Sequence, residues 1–558
     1  MRVLGVSAHY HDSAACLFDG ERIFAACEER FTRKKHDPGL PVNAVSYCLR
    51  EANIIGEELD FVAIHEKPLR KFSRIIGDSF RTFPRSYPLF RKAIPVWLGQ
   101  KRAPELALSM ELNTNCPFVF VGHHLSHAAS AFFPSPFDEA AILTVDAVGE
   151  AFSTCTGTGT GAEVRLQQGV RFPHSLGMFY TALTYLLGFE VMEGEGKVMG
   201  LSAHGEPSFR KQMEQLIRVN SDGSFALNMK YFSFDRSLGM ITPRLERLLF
   251  ERRLPGAPIE QMHRDLAATV QGVLEDALLA ILKNLRKNTG LRNLCIAGGI
   301  GLNSAANGRI LKEGPFGNVF VQPAAGDSGC ALGAALYASC QLHRQERPGP
   351  MLSDRFGPHF TTDAIARFLD VRGVAYRRLG EDELIDAAAR FLADNKVVGW
   401  FQDRMEFGPR ALGGRSILAN PASPDIKALV NSKVKLREGF RPFGASIPEE
   451  VASEYFACDR PSPFMMFVVD VRPEKRNRLP GITHVDGTCR IQTVSRDYDR
   501  RYHALLCRFG ELTGTPVLLN TSFNIKGDPI VCSPSNALEC FLKTGLDVLV
   551  MQDLVLEK

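Results

Sequence analysis

The segment AILTVDAVGE, Ala141–Glu150, most constrains how this chain folds. An apolar run that ends on a carboxylate reads as a buried strand with Asp146 at its open end. Just upstream, VGHHLSH at Val121–His127 sets two imidazoles four residues apart. On a helix that spacing shares one face, so His123 and His127 can grip a single metal ion. A zinc protease motif, HExxH, would need a glutamate base directly after the first histidine; His124 stands there instead. Two histidines with acid ligands suit iron, manganese or zinc. Asp146, and Asp327 in QPAAGDSGCALG, are the natural completions. The spacing alone equally fits two polar helix residues with no ion.

The 558 residues exceed what one core accommodates, so two or more domains are expected. A net charge of +4 is nearly balanced and argues against a nucleic-acid-coating protein. The 13 cysteines form no CxxC pair, which excludes a zinc ribbon and fits reduced thiols in a cytoplasmic enzyme. The N-terminal apolar run is broken early by His9, His11 and Asp12, so no signal peptide is expected. No window resembles a membrane span.

The opening stretches RVLGVSA, AACLFDG and RIFAACEER read as a β-meander, with Asp19-Gly20 as a hairpin turn. A helix over 41–53 starts at Pro41. AAILTVDA and AFSTCTG repeat the theme, and LCIAGGIGLN opens a third block of strand, glycine turn and helix. Such units are what an actin-like ATPase fold needs. The segment HRQERPGPML (343–352) breaks periodicity and sets the expected domain boundary near 350. Beyond it, VVGWF (397–401) and PFMMFVVDV (463–471) read as strands of a second α/β domain.

Residues 67–102 hold ten Lys or Arg against one acid, Asp78, interleaved with Phe72, Phe80, Phe83, Phe90 and Trp97. That mixture suits RNA stacking or, more simply, a helical lid with a solvated basic face. In the second domain, Arg404, Arg410, Arg415, Arg437, Arg441 and Arg490 lie among Phe, Gly and Pro, together with Asn520, Thr521, Ser522 and Asn524. Guanidinium forks match phosphate geometry. Pairing with Glu406 and Glu438 is the structural alternative. GGIGLN (298–303) offers helix-start N–H groups to a phosphate or ribose, or simply a packing turn. Lys197 could neutralise phosphate charge. His11 stands in the first strand–turn, where a near-neutral imidazole can take a proton from an alcohol, and Lys35 could reach the same cleft.

These stretches, with EERFTRKKH, HHLSHAAS, FGPRALGGRSIL, REGFRPF, HVDGTCRIQTV and NTSFN in order along nearly the whole chain, resemble the NodU/CmcH-type O-carbamoyltransferases. The resemblance implies an N-terminal ASKHA-type (actin-like ATPase) domain over 1–350 and a YrdC-like α/β domain over 351–558. It implies carbamoyl-adenylate made from carbamoyl phosphate and ATP, then transfer to a hydroxyl of a small-molecule natural product. Carried over residue by residue, the metal ligands are His123, His127, Asp146 and Asp327, and the catalytic histidine is His11. Nucleotide contacts are Lys35, Asp146, Gly177, Lys197, Gly298, Gly299, Asn303 and Asp327. Carbamoyl phosphate contacts are Arg410, Arg441, Arg490 and Asn520. The expected metal is iron, with manganese, zinc or magnesium as alternatives. The expected partner is a hydroxyl acceptor, with no nucleic acid and no membrane, and a homodimer is one option for assembly. A tRNA-modifying transferase and an ATP-regulated sensor are the competing readings.

Overall fold

A computed structural model describes residues 1–99 and 104–558. Lys101 and Arg102 of the basic insertion, and the Trp97 side chain, lie outside the described residues. The chain forms two compact units, Met1–Glu28 with Pro38–Met351, and Glu29–Asp37 with Leu352–Lys558. Both are mixed α/β. The nine residues 29–37, which the sequence places in a continuous first domain, belong to the second unit. There Arg33 donates to the carbonyls of Ile530 and Pro529 at 2.7 and 2.6 Å.

The first unit contains two five-stranded sheets built alike. In one, Ile23–Cys27, Ala14–Phe18 and Val3–Ser7 form an antiparallel meander, extended in parallel by Phe61–Ile64 and Phe118–Phe120. In the other, Glu163–Arg171, Phe152–Thr160 and Glu139–Val145 form the meander, extended by Asn293–Ala297 and Asn318–Val321. The third block read from the sequence is therefore the parallel half of the second sheet. In each sheet the fifth strand leads into a helix, His123–Phe132 or Asp327–Leu336.

These two helices pack so closely that a Cβ at Gly333 would stand 1.8 Å from the Ser126 carbonyl oxygen. A Cβ at Gly5 would meet the Ala331 carbonyl at 1.9 Å, so Asp327–Leu336 is pressed between the first strand and the His123–Phe132 helix. A side chain at Gly333 would push the two helices apart, and one at Gly5 would push Asp327–Leu336 off the first strand.

The basic insertion forms the helices Pro68–Arg81 and Tyr87–Gly99. Its cations divide. Arg70, Arg81, Arg85, Arg91 and Lys92 are exposed, whereas Lys71 is buried, ion-paired with Glu66 at 2.8 Å and set over the Tyr10 ring. The segment expected as a linker is fastened down. Arg347 donates to the carbonyls of Phe132, Phe133, Ser135 and Phe137 at 2.9–3.2 Å.

The second unit is built on a nine-stranded mixed sheet. Its central strands are Arg415–Ala419, Leu518–Ser522 and Gly444–Pro448, followed by Thr488–Val494 and Val468–Asp470. The helices Glu381–Ala393 and Arg500–Thr513 cover it with a core that includes Trp400, Tyr502, Leu506, Phe509 and Leu392. The strand expected over 463–471 is only Val468–Asp470. Met465 takes a left-handed backbone, φ 54°, which ends any extended run there. Among the described residues no helix is long and apolar enough to cross a membrane.

Candidate functional site

The equivalence of the two sheets explains where the acid and imidazole groups of the first unit meet. The first strand of each sheet runs into a site residue, His11 after Val3–Ser7 and Asp146 after Glu139–Val145. The helix after each fifth strand begins with a site residue, His123 in one and Asp327 in the other. Four loops of a repeated topology thus converge, with two helix N-termini adding positive potential.

His123, His127, Asp146 and Asp327 come together, each 6% exposed or less. His123 Nε2 is 2.9 Å from Asp146 Oδ2 and 3.8 Å from Asp327 Oδ1. His127 Nε2 is 3.7 Å from Asp146 Oδ2 and 3.5 Å from Asp327 Oδ1. Neither ring nitrogen of His127 and neither oxygen of Asp327 has a hydrogen-bond partner, although all four atoms are buried. Unsatisfied buried polar atoms cost about 1–3 kcal/mol each. Ligands of one tetrahedral ion at about 2.1 Å stand roughly 3.4 Å apart, close to three of the four contacts, at 3.5–3.8 Å, while His123 and Asp146 stand closer at 2.9 Å. The donor set therefore fits a divalent metal.

Cys330, one helical turn after Asp327, belongs to the same cluster. One donor atom each from His123, His127, Asp327 and Cys330 lies within 4.8 Å of the others. Sequence reasoning weighed only histidines and acids here. The signal was the i, i+3 spacing in DSGC. His65, 1% exposed, is a second omission, with its ring 5.9 Å from that of His123. His124 is structural, its nitrogens bound to Thr144 Oγ1 and the Phe152 carbonyl, both at 2.9 Å.

His11 Nδ1 is 2.8 Å from Asp12 Oδ2, and its Nε2 is 3.5 Å from Asp327 Oδ2. Burial lowers its pKa, but Asp327 and Asp12 outweigh that and bring it to about 9. These two carboxylates favour the protonated imidazole. Burial raises the pKa of Asp146, yet His123 and His127 hold it well below the usual carboxylate range.

The glycines frame this centre. Gly299 N donates to Asp146 Oδ1 at 3.2 Å. Gly298, at φ +93°, lies where a Cβ would strike the Val145 carbonyl at 2.2 Å, and a Cβ at Gly177 would strike Ala147 Cα at 2.7 Å. Asn303 caps the helix Ser304–Glu313 and pairs with Gln271, which occupies its side-chain oxygen and nitrogen. Lys197 lies 5.9 Å from the centre of the Phe189 ring. Lys35 is exposed and lies in the second unit.

In the second unit the guanidiniums of Arg410, Arg437, Arg441 and Arg490 act on one another, and Glu438 acts on Arg437. Gly444 pairs in register with Arg490 on one side and Asn520 on the other, which puts those two side chains on the strands that flank Gly444–Pro448. Burial, then the charges of Arg490 and Arg441, push the Arg410 guanidinium well below its ordinary pKa. Burial, then Arg441 and Arg490, do the same to Arg437. Arg490 is brought down to about 10, chiefly by burial, and its Nε has no hydrogen-bond partner. Asn520 is fully buried; its Nδ2 donates to Ser446 Oγ and Gln492 Oε1 at 3.0 and 3.1 Å, while its Oδ1 has no partner. A concentration of half-buried positive charge with such orphan atoms offers unspent donors to an anion.

Arg415 is different. It is fully buried, stacked 3.7 Å from the centre of the Phe401 ring, and spends its fork on the carbonyls of Gln402, Asp403, Gly414 and Pro358. It holds the loop. Glu406 accepts from the N–H groups of Leu412, Gly414 and Arg415, so it shapes the PRALGGR turn, and its charge acts on the Arg415 guanidinium. Lys435 donates to Ser522 and Asn524, fixing the NTSFN turn.

Beside this loop Asp354, 2% exposed, has its carboxyl pushed up to about 8 by burial and by Glu406. Its unfolded pKa is about 3.9. A carboxyl raised on folding gives most stability below the unfolded value, and that stability is lost as pH rises toward the folded one. Asp354→Asn is expected to raise the melting temperature more at about pH 8 than at about pH 5. Equal shifts in calorimetric scans at both would contradict this.

Two family models match: carbamoyltransferase N-terminus over residues 2–336 and carbamoyltransferase C-terminus over 389–558. Uncharacterized protein sll1178 of Synechocystis sp. is 44% identical, over 100% of this chain and 96% of its own length. Nodulation protein NolNO of Sinorhizobium fredii is 39% identical over 98% of this chain and 79% of its own. Nodulation protein NolO of Bradyrhizobium diazoefficiens is 41% identical over 78% of this chain and 79% of its own. Among solved structures, HypF of T.kodakarensis aligns at 12% identity and a TM-score of 0.31, over 61% of this chain and 48% of that one, too distant to bear on the fold. With matched models spanning both units and relatives of this similarity, the chain belongs to the carbamoyltransferase family and is an enzyme of that class.

Proposed function

We propose that this carbamoyltransferase builds carbamoyl-adenylate from carbamoyl phosphate and ATP, and passes the carbamoyl group to a hydroxyl of a small-molecule natural product. The observation that carries the reading is the mutual proximity of Arg410, Arg441 and Arg490 beside the orphan oxygen of Asn520. Carbamoyl phosphate presents a phosphate to the guanidiniums and an amide to an acceptor such as Asn520 Oδ1. Water splits carbamoyl phosphate to phosphate and carbamate, and a carbamate oxygen displaces pyrophosphate from ATP. Acceptor and carbamoyl-adenylate then give the O-carbamoyl product and AMP.

The first unit is read as the acceptor and nucleotide side, an actin-like ASKHA domain supported by its two equivalent sheets, and the second as YrdC-like. His123, His127, Asp146 and Asp327, with Cys330 within reach, would hold a divalent metal, iron in our reading. Such an ion would polarise a phosphate or carbonyl oxygen and offset the carboxylate charge that keeps His11 protonated. His11, at hydrogen-bond distance from Asp12, then holds or moves the acceptor's proton at Nε2. The helix N-termini at His123 and Asp327 favour a phosphate nearby. Gly177, Gly298 and Gly299 keep backbone close to Asp146. None of the 13 cysteines forms a disulfide, which supports a cytoplasmic location.

The test supplies candidate hydroxyl metabolites with carbamoyl phosphate and ATP and looks by mass spectrometry for a gain of one carbamoyl group. No gain in any hydroxyl compound, with consumption of both co-substrates, would remove this reading. A tRNA-modifying role is disfavoured by the near-neutral total charge, +4. The enzyme should pass through immobilised tRNA without retention at about 0.15 M salt; salt-sensitive retention would favour the other reading.

A further inference from the structure

A thiol, an imidazole and a carboxylate of the second unit converge at a point that the carbamoyl chemistry does not use. The helix Arg500–Thr513 buries Tyr502, Leu505, Leu506 and Phe509. Its 3.6-residue period leaves His503 and Cys507, four apart, together on one flank. The turn Glu449–Val451, following the strand Gly444–Pro448, brings Glu450 to them. Glu450 Oε1 lies 2.8 Å from His503 Nε2, and Cys507 Sγ lies 3.9 Å from the same nitrogen. One donor atom from each residue lies within 4.8 Å of the others. His503 is 9% exposed and the Glu450 side chain 57% exposed, so the point meets protein on one side and water on the other.

We propose that Glu450, His503 and Cys507 form a surface site for a zinc-class divalent cation, apart from the centre at His123 and Asp327. Thiolate, imidazole and carboxylate are a donor set that zinc accepts together. Tetrahedral placement at 2.0–2.3 Å puts such donors about 3.3–3.6 Å apart. The observed pairs to Nε2, 2.8 and 3.9 Å, fall on either side of that spacing, and Cys507 Sγ is also 3.7 Å from Nδ1, so the thiol and imidazole must turn to aim at one ion. Glu511, one further turn along the helix, adds negative charge that acts on Cys507. When the cation binds, the Cys507 thiol proton leaves to solvent and the sulfur forms the metal bond. The hydrogen on His503 Nε2 is exchanged through water to Nδ1, and Glu450 trades its hydrogen bond for a metal bond. Water fills the fourth position. The bound ion would tie the end of the strand that carries Gly444 to the helix beside it.

The full-length protein is titrated with Zn²⁺, and in parallel with Co²⁺ as a spectroscopic probe. Wild type is expected to take up one ion more per chain than Cys507→Ser or His503→Ala. Its cobalt–thiolate charge-transfer band should lose the part contributed by Cys507 in those variants. Glu450→Gln, a change at an exposed side chain that leaves folding intact, should weaken the additional Zn²⁺ event at least about tenfold. Equal stoichiometry and an unchanged cobalt spectrum in Cys507→Ser would overturn the proposal. So would an unaltered Zn²⁺ affinity in Glu450→Gln, which reads the site even if the cysteine variant does not fold.

Discussion

Arg490→Ala lowers carbamoyl-phosphate-dependent AMP release by about a hundredfold or more, the loss typical of removing one donor aimed at developing anionic charge. The expectation rests on where the strand Thr488–Val494 holds this side chain. Register through Gly444 sets Arg490 across from Asn520, and its Nε is buried without a partner. A purely structural arginine would give the opposite pattern on stability. Burial and the nearby charge of Arg441 already depress this guanidinium, so its removal relieves a cost. The melting temperature of the variant without ligand should stay level or rise. In wild type, carbamoyl phosphate should raise the melting temperature by mass action, and in Arg490→Ala it should not. Arg490→Lys keeps the charge but loses the fork, and should recover only part of the activity.

His127→Ala is expected to abolish bound metal and reduce carbamoyl transfer by at least about a hundredfold. Both ring nitrogens of His127 are buried and unpartnered, and Asp327 faces it with two unpartnered oxygens. Removing the imidazole leaves Asp146 and Asp327 as buried carboxylates with less opposing charge, so the variant should also melt lower than wild type. Metal analysis of the purified protein, and melting with and without added Fe²⁺ or Zn²⁺, check this. Equal metal content in wild type and variant would contradict it. Cys330→Ser separates the thiol from the imidazoles: a drop in metal affinity with transfer retained identifies Cys330 as a ligand that holds the ion without taking part in chemistry.

Much of the first unit was legible because its signals are local. The DG turn, the meander and the pair His123 and His127 each depend on residues within a few positions of one another. The duplication of the two sheets was visible only as a likeness of blocks, since topology rather than residue identity is what repeats. Side-chain destination was less legible. Arg415 and Arg490 look equally suited to an anion in the sequence, yet Arg415 turns inward onto four carbonyls and Arg490 does not. Glu406 looks like an arginine's partner and also caps backbone N–H groups. The extended run over 463–471 was cut short by one left-handed backbone at Met465, which no pattern of apolar residues announces. His11 has an ordinary residue type but two carboxylates beside it, and only the fold brings Asp327 within 3.5 Å. Asp327 lies only three positions before Cys330, but the histidines that complete the cluster lie some 200 positions away in the chain.

The central claim is that carbamoyl transfer proceeds through an adenylate. The most direct measurement is the nucleotide product during a single turnover with carbamoyl phosphate, ATP and an accepting alcohol. The account predicts AMP and pyrophosphate in equal amounts, with one AMP for each carbamoylated product. Formation of ADP, or carbamoyl transfer with ATP left intact, would contradict it.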